Sequence, residues 1–131
     1  MSTAKVLLVD DDPLVRSALR MILTSAGYLV LVAMTGDEAM EKVQAQDPVD
    51  VVLLDLKMPG ISGFEVCEKI RQIAPIPILI ISTLRNRDDK LQASRAGADS
   101  YLEKPFGSQQ LLSRMRTLCG GRASAEVPSA I

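Results

Sequence analysis

Apolar residues in this chain fall into short unbroken runs separated by longer amphipathic stretches. Three runs, at 6–9, 51–54 and 76–81, are rich in β-branched residues and too short for helices, which is the pattern of strands buried on both faces of a parallel sheet. Weaker strands are predicted over 28–33 and 100–102, each following a glycine, Gly27 or Gly97, able to close a helix. Between the runs, Val15, Ala18, Leu19, Ile22 and Leu23 form one helical stripe, and Leu111, Leu112, Met115 and Leu118 form another. Asp12 before Pro13 has the form of an N-cap and first-turn proline, while Thr35 with Glu38 and Ser62 with Glu65 have capping-box spacing. The stretch 85–96, from Arg85 to Ala96, is a poorer helix. It carries Asn86, two aspartates and few large apolar residues besides Leu91, so low local stability is expected there.

Strict alternation of strand and helix implies an α/β fold with right-handed crossovers: a doubly wound, five-stranded parallel sheet in the order 2-1-3-4-5. At 131 residues and 47% hydrophobic, the chain has apolar material for one core and no room for a second domain. Residues 1–120 are expected to form that domain. The small-residue stretch 121–131 reads as a flexible tail or a linker to something beyond.

Charge and composition narrow the function. The 15 basic and 16 acidic residues nearly cancel, so the basic footprint of a nucleic-acid surface is missing and direct nucleic-acid binding is not expected. No apolar run has the length of a signal peptide core or a membrane span. Cys67 and Cys119 both fall on apolar helical positions, and buried free thiols in a cytoplasmic setting are the expectation. The chain has no histidine, which excludes a Ser/His/Asp triad, a Cys/His pair and any histidine-ligated metal.

In open parallel sheets, ligands bind beyond the carboxyl ends of the strands where strand order reverses, here between the first and third strands. The first strand ends in Asp10 and Asp11, the third in Asp55, the fourth in Ser82 beside Thr83, and the fifth runs through Glu103 to Lys104. Two like charges about 4 Å apart repel by roughly 4 kcal/mol at an effective dielectric of about 20, so three converging carboxylates call for a cation. Magnesium suits an open site, since it takes one or two carboxylates, keeps waters and accepts phosphate oxygens. Asp55 is then the best placed nucleophile toward phosphorus, Asp10 and Asp11 hold the metal, and Lys104 and the Ser82 hydroxyl each take a phosphoryl oxygen. Singly, each of these residues is an ordinary cap or turn residue. The specific signal is their joint placement on four strand ends.

Those residues closely resemble the receiver domain of bacterial two-component response regulators. The resemblance runs over roughly residues 4–119 through Leu7-Leu8-Val9-Asp10-Asp11-Asp12, Asp55-Leu56-Lys57-Met58-Pro59-Gly60, Ala96-Gly97-Ala98-Asp99, Tyr101 and Lys104-Pro105-Phe106. It implies a flavodoxin-like (βα)5 receiver fold and a phosphorylation-controlled switch rather than an enzyme. Asp55 would receive a phosphoryl group from a sensor histidine kinase, a phosphotransfer protein or a small phosphodonor. It further implies Mg2+ bound by Asp11, Asp55 and the backbone carbonyl of Lys57, with Asp10 as outer metal partner. A cis Lys104–Pro105 bond and a switch pair of Ser82 and Tyr101 are also implied. The phosphoryl group would draw Ser82 inward and vacate space for Tyr101.

Two positions depart from the commonest family pattern, Lys57 and Leu84, and both bear on phosphoryl lifetime. Lys57 adds charge near the phosphoryl group or is an ordinary surface lysine. A homodimer through the fourth helix, fifth strand and fifth helix is left open, with Arg114 in favour and Gln110 replacing an acid often found there. Among competing readings, a flavin-binding domain would want a first loop of glycines and hydroxyls where this one is acidic. An aspartyl phosphatase would ordinarily want a second acid where Lys57 stands. A P-loop enzyme would want a glycine-rich loop with Lys-Ser or Lys-Thr. An interaction module that had lost its chemistry would show an incomplete acidic set, and this set is complete.

Overall fold

A computed structural model describes residues 4–45, 49–56, 62–83 and 87–119. Five strands alternate with five helices: β1 (Lys5–Val9), α1 (Pro13–Ser25), β2 (Leu29–Ala33), α2 (Gly36–Val43), β3 (Val51–Asp55), α3 (Gly63–Ile73), β4 (Ile78–Ser82), α4 (Arg87–Arg95), β5 (Ser100–Glu103) and α5 (Ser108–Leu118). The strands form one parallel sheet in the order β2-β1-β3-β4-β5, the predicted doubly wound arrangement.

Successive side chains of a strand point to opposite faces, and the unbroken apolar runs therefore feed two cores. Leu7, Val9, Val52, Leu54, Ile78 and Ile80 pack on one face under Ala39 and Val43 of α2, Val66 and Ile70 of α3 and Ala93 of α4. Val6, Leu8, Val51, Leu53, Leu79 and Ile81 pack on the other under Leu19 and Leu23 of α1 and Leu111 and Met115 of α5. The three central strands are buried along nearly their whole length, whereas the edge strand β2 leaves Leu29 53% exposed, which is why its apolar signal is the weaker.

The helix boundaries follow the predicted signals. Asp12 Oδ1 accepts from the Leu14 and Val15 amides, Thr35 Oγ1 from Glu38 and Ser62 Oγ from Glu65. Gly27 and Gly97 take φ values of 97° and 104°, a left-handed conformation that costs glycine alone nothing. Three expectations need correction. β4 begins at Ile78 instead of Ile76, because Pro77 has no N–H to give a ladder and serves only through its carbonyl, 3.0 Å from the Val52 amide. Ala18 belongs to the α1 stripe by spacing yet stays exposed, whereas Leu19 and Leu23 are buried and Val15 and Ile22 pack against the core in part. Cys119 is only half-buried because α5 ends at Leu118, whereas Cys67 is fully buried with its Sγ 3.4 Å from the Ala96 carbonyl. Burial pushes the Cys67 thiol up to about 11, Arg71 opposing part of the rise, so it is a protonated core residue.

α4 is as weakly anchored as its composition suggests. Leu91 is 46% exposed, and Ala93 is the helix's buried residue. What holds its end is Arg71 of α3. Arg71 Nε and Nη2 donate to the Gly97 carbonyl at 3.1 and 2.5 Å, Nη1 to the Ile76 carbonyl at 2.9 Å and Nη2 to Asp99 Oδ2 at 2.7 Å. The same Asp99 oxygen accepts from the Ile78 amide at 2.8 Å. By contrast, the Lys90–Glu103 bridge between α4 and β5 joins two largely exposed side chains, and such pairs contribute little. Arg71→Ala is therefore expected to lower the unfolding free energy by about 2 kcal/mol, since it strands carbonyls at the α4–β5 turn. Lys90→Ala should cost less than about 0.5 kcal/mol. Urea unfolding of both variants checks the contrast, and equal losses would contradict it.

Candidate functional site

β1 and β3 are neighbours in register, Val9 opposite Leu54, so the residues that follow emerge side by side at the carboxyl edge of the sheet. Asp10, Asp11 and Asp55 each offer a carboxylate oxygen, and these lie within 4.8 Å of one another. Asp10 is fully buried and Asp55 is 7% exposed; Asp11 is the member nearest solvent. β5 delivers Lys104 to the same place: its Nζ is 3.5 Å from Asp55 Oδ2 and 3.7 Å from Asp10 Oδ2. The Lys104 amide donates to the Ser82 carbonyl at 2.8 Å, which continues the β4–β5 ladder one step past the strand. Lys104–Pro105 is cis, as the resemblance implies.

Burial pushes the Asp10 carboxyl above its ordinary value. The Asp12 amide, donating to Asp10 Oδ1 at 2.9 Å, offsets part of that rise; the Asp55 charge adds to it, Lys104 opposes it and Asp11 adds again. Asp10 Oδ2 is buried and makes no hydrogen bond among the described residues. A buried carboxylate oxygen without a hydrogen-bond donor is costly, and a cation shared by the three carboxylates would supply the missing partner. The donor set is all oxygen and carries three formal negative charges against one nearby lysine, which fits a hard divalent ion.

Ser82 ends β4 fully buried and is hydrogen-bonded through its side chain to Tyr101 of β5. Burial raises the Tyr101 phenol above its ordinary value and the Ser82 hydrogen bond lowers it in part. Among the described residues, the predicted site residues thus fall into two contacts, the three aspartates with Lys104 and Ser82 with Tyr101. Lys57, with its backbone carbonyl, lies outside the described residues, as do Leu84, Arg85 and the stretch 121–131.

Two supporting residues escaped the sequence reading. Arg16, one turn into α1, donates from Nη1 to the Asp10 carbonyl at 3.1 Å and holds the β1–α1 junction. Gly63, the first residue of α3, leaves no room for a side chain: a Cβ there would stand 2.6 Å from Leu56 Cα and 2.8 Å from the Asp55 carbonyl oxygen. The available signal was a glycine directly after the capping Ser62, a position where helix propensity alone would not select it.

A sequence model described as the response regulator receiver domain matches residues 6–116. Transcriptional regulatory protein KdpE of Mycobacterium tuberculosis is 43% identical over 111 residues, which are 85% of this chain and 49% of that protein. Response regulator MprA of Mycobacterium ulcerans is 41% identical over 117 residues, 88% of this chain and 50% of that one. The chain therefore spans about half the length of these curated relatives. Among solved structures, a putative response regulator from Chloroflexus aurantiacus matches with a TM-score of 0.85 at 34% identity, covering 91% of this chain and 99% of that one. A CheY-like receiver domain protein from Methanospirillum hungatei matches with a TM-score of 0.86 at 26% identity, covering 92% and 97%.

For an acid whose pKa is raised by folding, the stability it contributes is complete below the unfolded pKa and is lost as pH rises through the folded value. Above the ordinary aspartate range, Asp10 therefore weighs against the metal-free fold. Asp10→Asn is expected to raise the metal-free melting temperature at pH 7, with the difference vanishing below the ordinary aspartate value of 3.8. Magnesium should stabilise the unsubstituted chain, by about 2.7 kcal/mol at a hundred times its dissociation constant, and stabilise Asp10→Asn less. Calorimetric melts with magnesium and with a chelator test both. A destabilised Asn variant in chelator, or equal magnesium gains, would contradict this account.

Proposed function

The chain belongs to the response regulator receiver domain family of two-component signalling, and on that premise we propose that Asp55 is its phosphoacceptor, with Asp10, Asp11, Lys104 and Ser82 as the residues that make acceptance possible. The observation that carries this reading is the placement of the Lys104 ammonium between the Asp10 and Asp55 carboxylates at 3.7 and 3.5 Å. A lone carboxylate repels an incoming phosphoryl dianion. One flanked by a fixed cation admits it.

In the transfer, an Asp55 carboxylate oxygen attacks phosphorus in line. The bond from phosphorus to the donor breaks, and its electron pair leaves with the donor atom: an imidazole nitrogen of a phosphohistidine on a sensor histidine kinase or phosphotransfer protein, or an oxygen of a small acyl phosphate. Asp55 ends as an acyl phosphate. Lys104 exchanges its contact with the Asp55 carboxylate for one phosphoryl oxygen, and the Ser82 hydroxyl donates to another. Asp11, Asp55 and the Lys57 backbone carbonyl would hold a magnesium ion, with Asp10 as outer partner, and the ion would neutralise phosphoryl charge when bound. Attack of water on phosphorus then breaks the bond to Asp55, releases inorganic phosphate with the carboxylate as leaving group, and resets the domain.

The donor protein has a surface to meet beside this site. Leu14 and Met21 of α1 are 81% and 68% exposed, and a groove lined by Val15, Ala18 and Ile22 continues to Phe106, Pro105 and Lys104 itself. An apolar helical surface on the donor would cover that groove and bring its phosphohistidine to Asp55. Among the described residues no helix is long and apolar enough to cross a membrane.

Signal output follows from Ser82. Once its hydroxyl turns to the phosphoryl group, Tyr101 loses a partner and repacks against α4, whose sparse anchoring lets a modest interaction energy shift its population. Incubation with acetyl phosphate and magnesium is expected to add one acid-stable, base-labile phosphoryl group by intact mass, and Asp55→Asn to abolish it. Equal labelling of the variant would move the acceptor elsewhere.

A further inference from the structure

Arg114 of α5 has the position of a dimer contact, yet in this chain it is committed internally. Its Nη1 donates to Ser100 Oγ at 2.8 Å and to the Tyr101 carbonyl at 2.7 Å. β5 is the edge strand, with β4 on its inner side, and edge strands turn part of their carbonyls away from the sheet. Arg114 gives the Tyr101 carbonyl a partner outside the ladder. On the other flank, Arg71 holds Asp99 and Gly97, just before the strand. The backbone around Tyr101 is thus gripped by two arginines from two helices on opposite faces of the sheet, while the Tyr101 side chain is hydrogen-bonded to Ser82.

We infer that Arg114 is a positioning residue for Tyr101: it fixes the β5 backbone so that a change at Ser82 moves the tyrosine ring and not the strand. The inference rests on the proposed switch role of Ser82 and Tyr101 and deepens it, since a ring turning on a fixed backbone has two defined places to go, whereas a ring on a loose edge strand has many. Ser100 and Gln110 fit the same account. Ser100 is short and uncharged, which lets the guanidinium close on it and on the neighbouring carbonyl together. Gln110, where an acid is often found, accepts from the Gly107 amide at 3.0 Å and caps α5. Both residues are occupied within the chain, and an ion-paired contact to a second copy would have to break the Arg114 bonds first.

The chain has two tyrosines, and Tyr28 is 4% exposed in the core, so 3-fluorotyrosine labelling gives one reporting and one reference resonance in fluorine NMR. In the unphosphorylated chain, Arg114→Ala is expected to broaden or split the Tyr101 resonance with Tyr28 unmoved. Ser100→Ala, which removes only one acceptor, should act the same way more weakly, and Arg114→Lys, which keeps a donor, should restore most of the native signal. With acetyl phosphate and magnesium, the displacement of the Tyr101 resonance should fall to less than half its native size in Arg114→Ala, while Asp55 still labels. An unchanged Tyr101 resonance in Arg114→Ala overturns the inference, and so does an equal disturbance of Tyr28, which would mean general loosening. A variant whose sole change is loss of a phosphorylation-dependent dimer in sedimentation also overturns it, returning Arg114 to an intermolecular role. Failure of the unsubstituted chain to label would instead defeat the phosphoacceptor reading, and the unphosphorylated spectra would still decide Arg114.

Discussion

Two buried carboxylates and one lysine at a strand edge set the terms for this protein. Asp10 and Asp55 sit where water is scarce, and their repulsion is contained by an ammonium within 4 Å of both. Like charges at that range cost several kcal/mol in a protein-like dielectric, so the arrangement holds only because β1, β3 and β5 are locked in register by a sheet whose central strands are almost wholly apolar. The hydrophobic core supplies the rigidity against which electrostatic tension is kept. A divalent cation shared by the carboxylates would relieve that tension.

Rigidity and looseness are unevenly distributed around that edge. β1, β3 and β4 feed two cores at once and are fixed. Among the described residues, α4 buries Ala93, shares an exposed ion pair with β5 and ends at the turn that Arg71 grips. On the proposed reading, an acyl phosphate at Asp55 would act on a structure with one compliant part, with Ser82 between the two. The hydrogen bond joining Ser82 to Tyr101 links the fixed region to the compliant one, and on the inference drawn for Arg114 the grips on β5 would confine the response to side chains and to the helix beyond.

Much of this was legible in the residues themselves. Runs such as Leu53-Leu54 or Ile80-Ile81 can be satisfied only by burial on both faces, which dictates a parallel sheet with helices on each side. Asp12, Thr35, Ser62, Gly27 and Gly97 mark helix ends through the local chemistry of N–H groups and positive φ, and they do so with little reference to the rest of the chain. The site was legible for the same reason. Once strand order is known, whatever follows the last apolar residue of β1, β3, β4 and β5 must gather at one rim, and the polar character of Asp10, Asp55, Ser82 and Lys104 stands out against the runs that precede them.

What the chain could not disclose by pattern were interactions between residues far apart in sequence and indifferent to periodicity. Arg71 reaching Gly97, Arg114 reaching Tyr101, and the absence of space for a Cβ at Gly63 depend on where neighbouring elements come to rest to within an ångström, and no local preference encodes that. The same limit explains Ala18, exposed although its spacing fits a buried stripe, and Cys119, which packs against the core while remaining half-buried. Sequence alone determined the strand order, the caps and the identity of the acidic rim, because these follow from burial and backbone hydrogen bonding read along the chain. Only the tertiary structure decided which long side chains serve the backbone and which remain for a partner, because a guanidinium's role is set by the carbonyls that folding happens to bring within its reach.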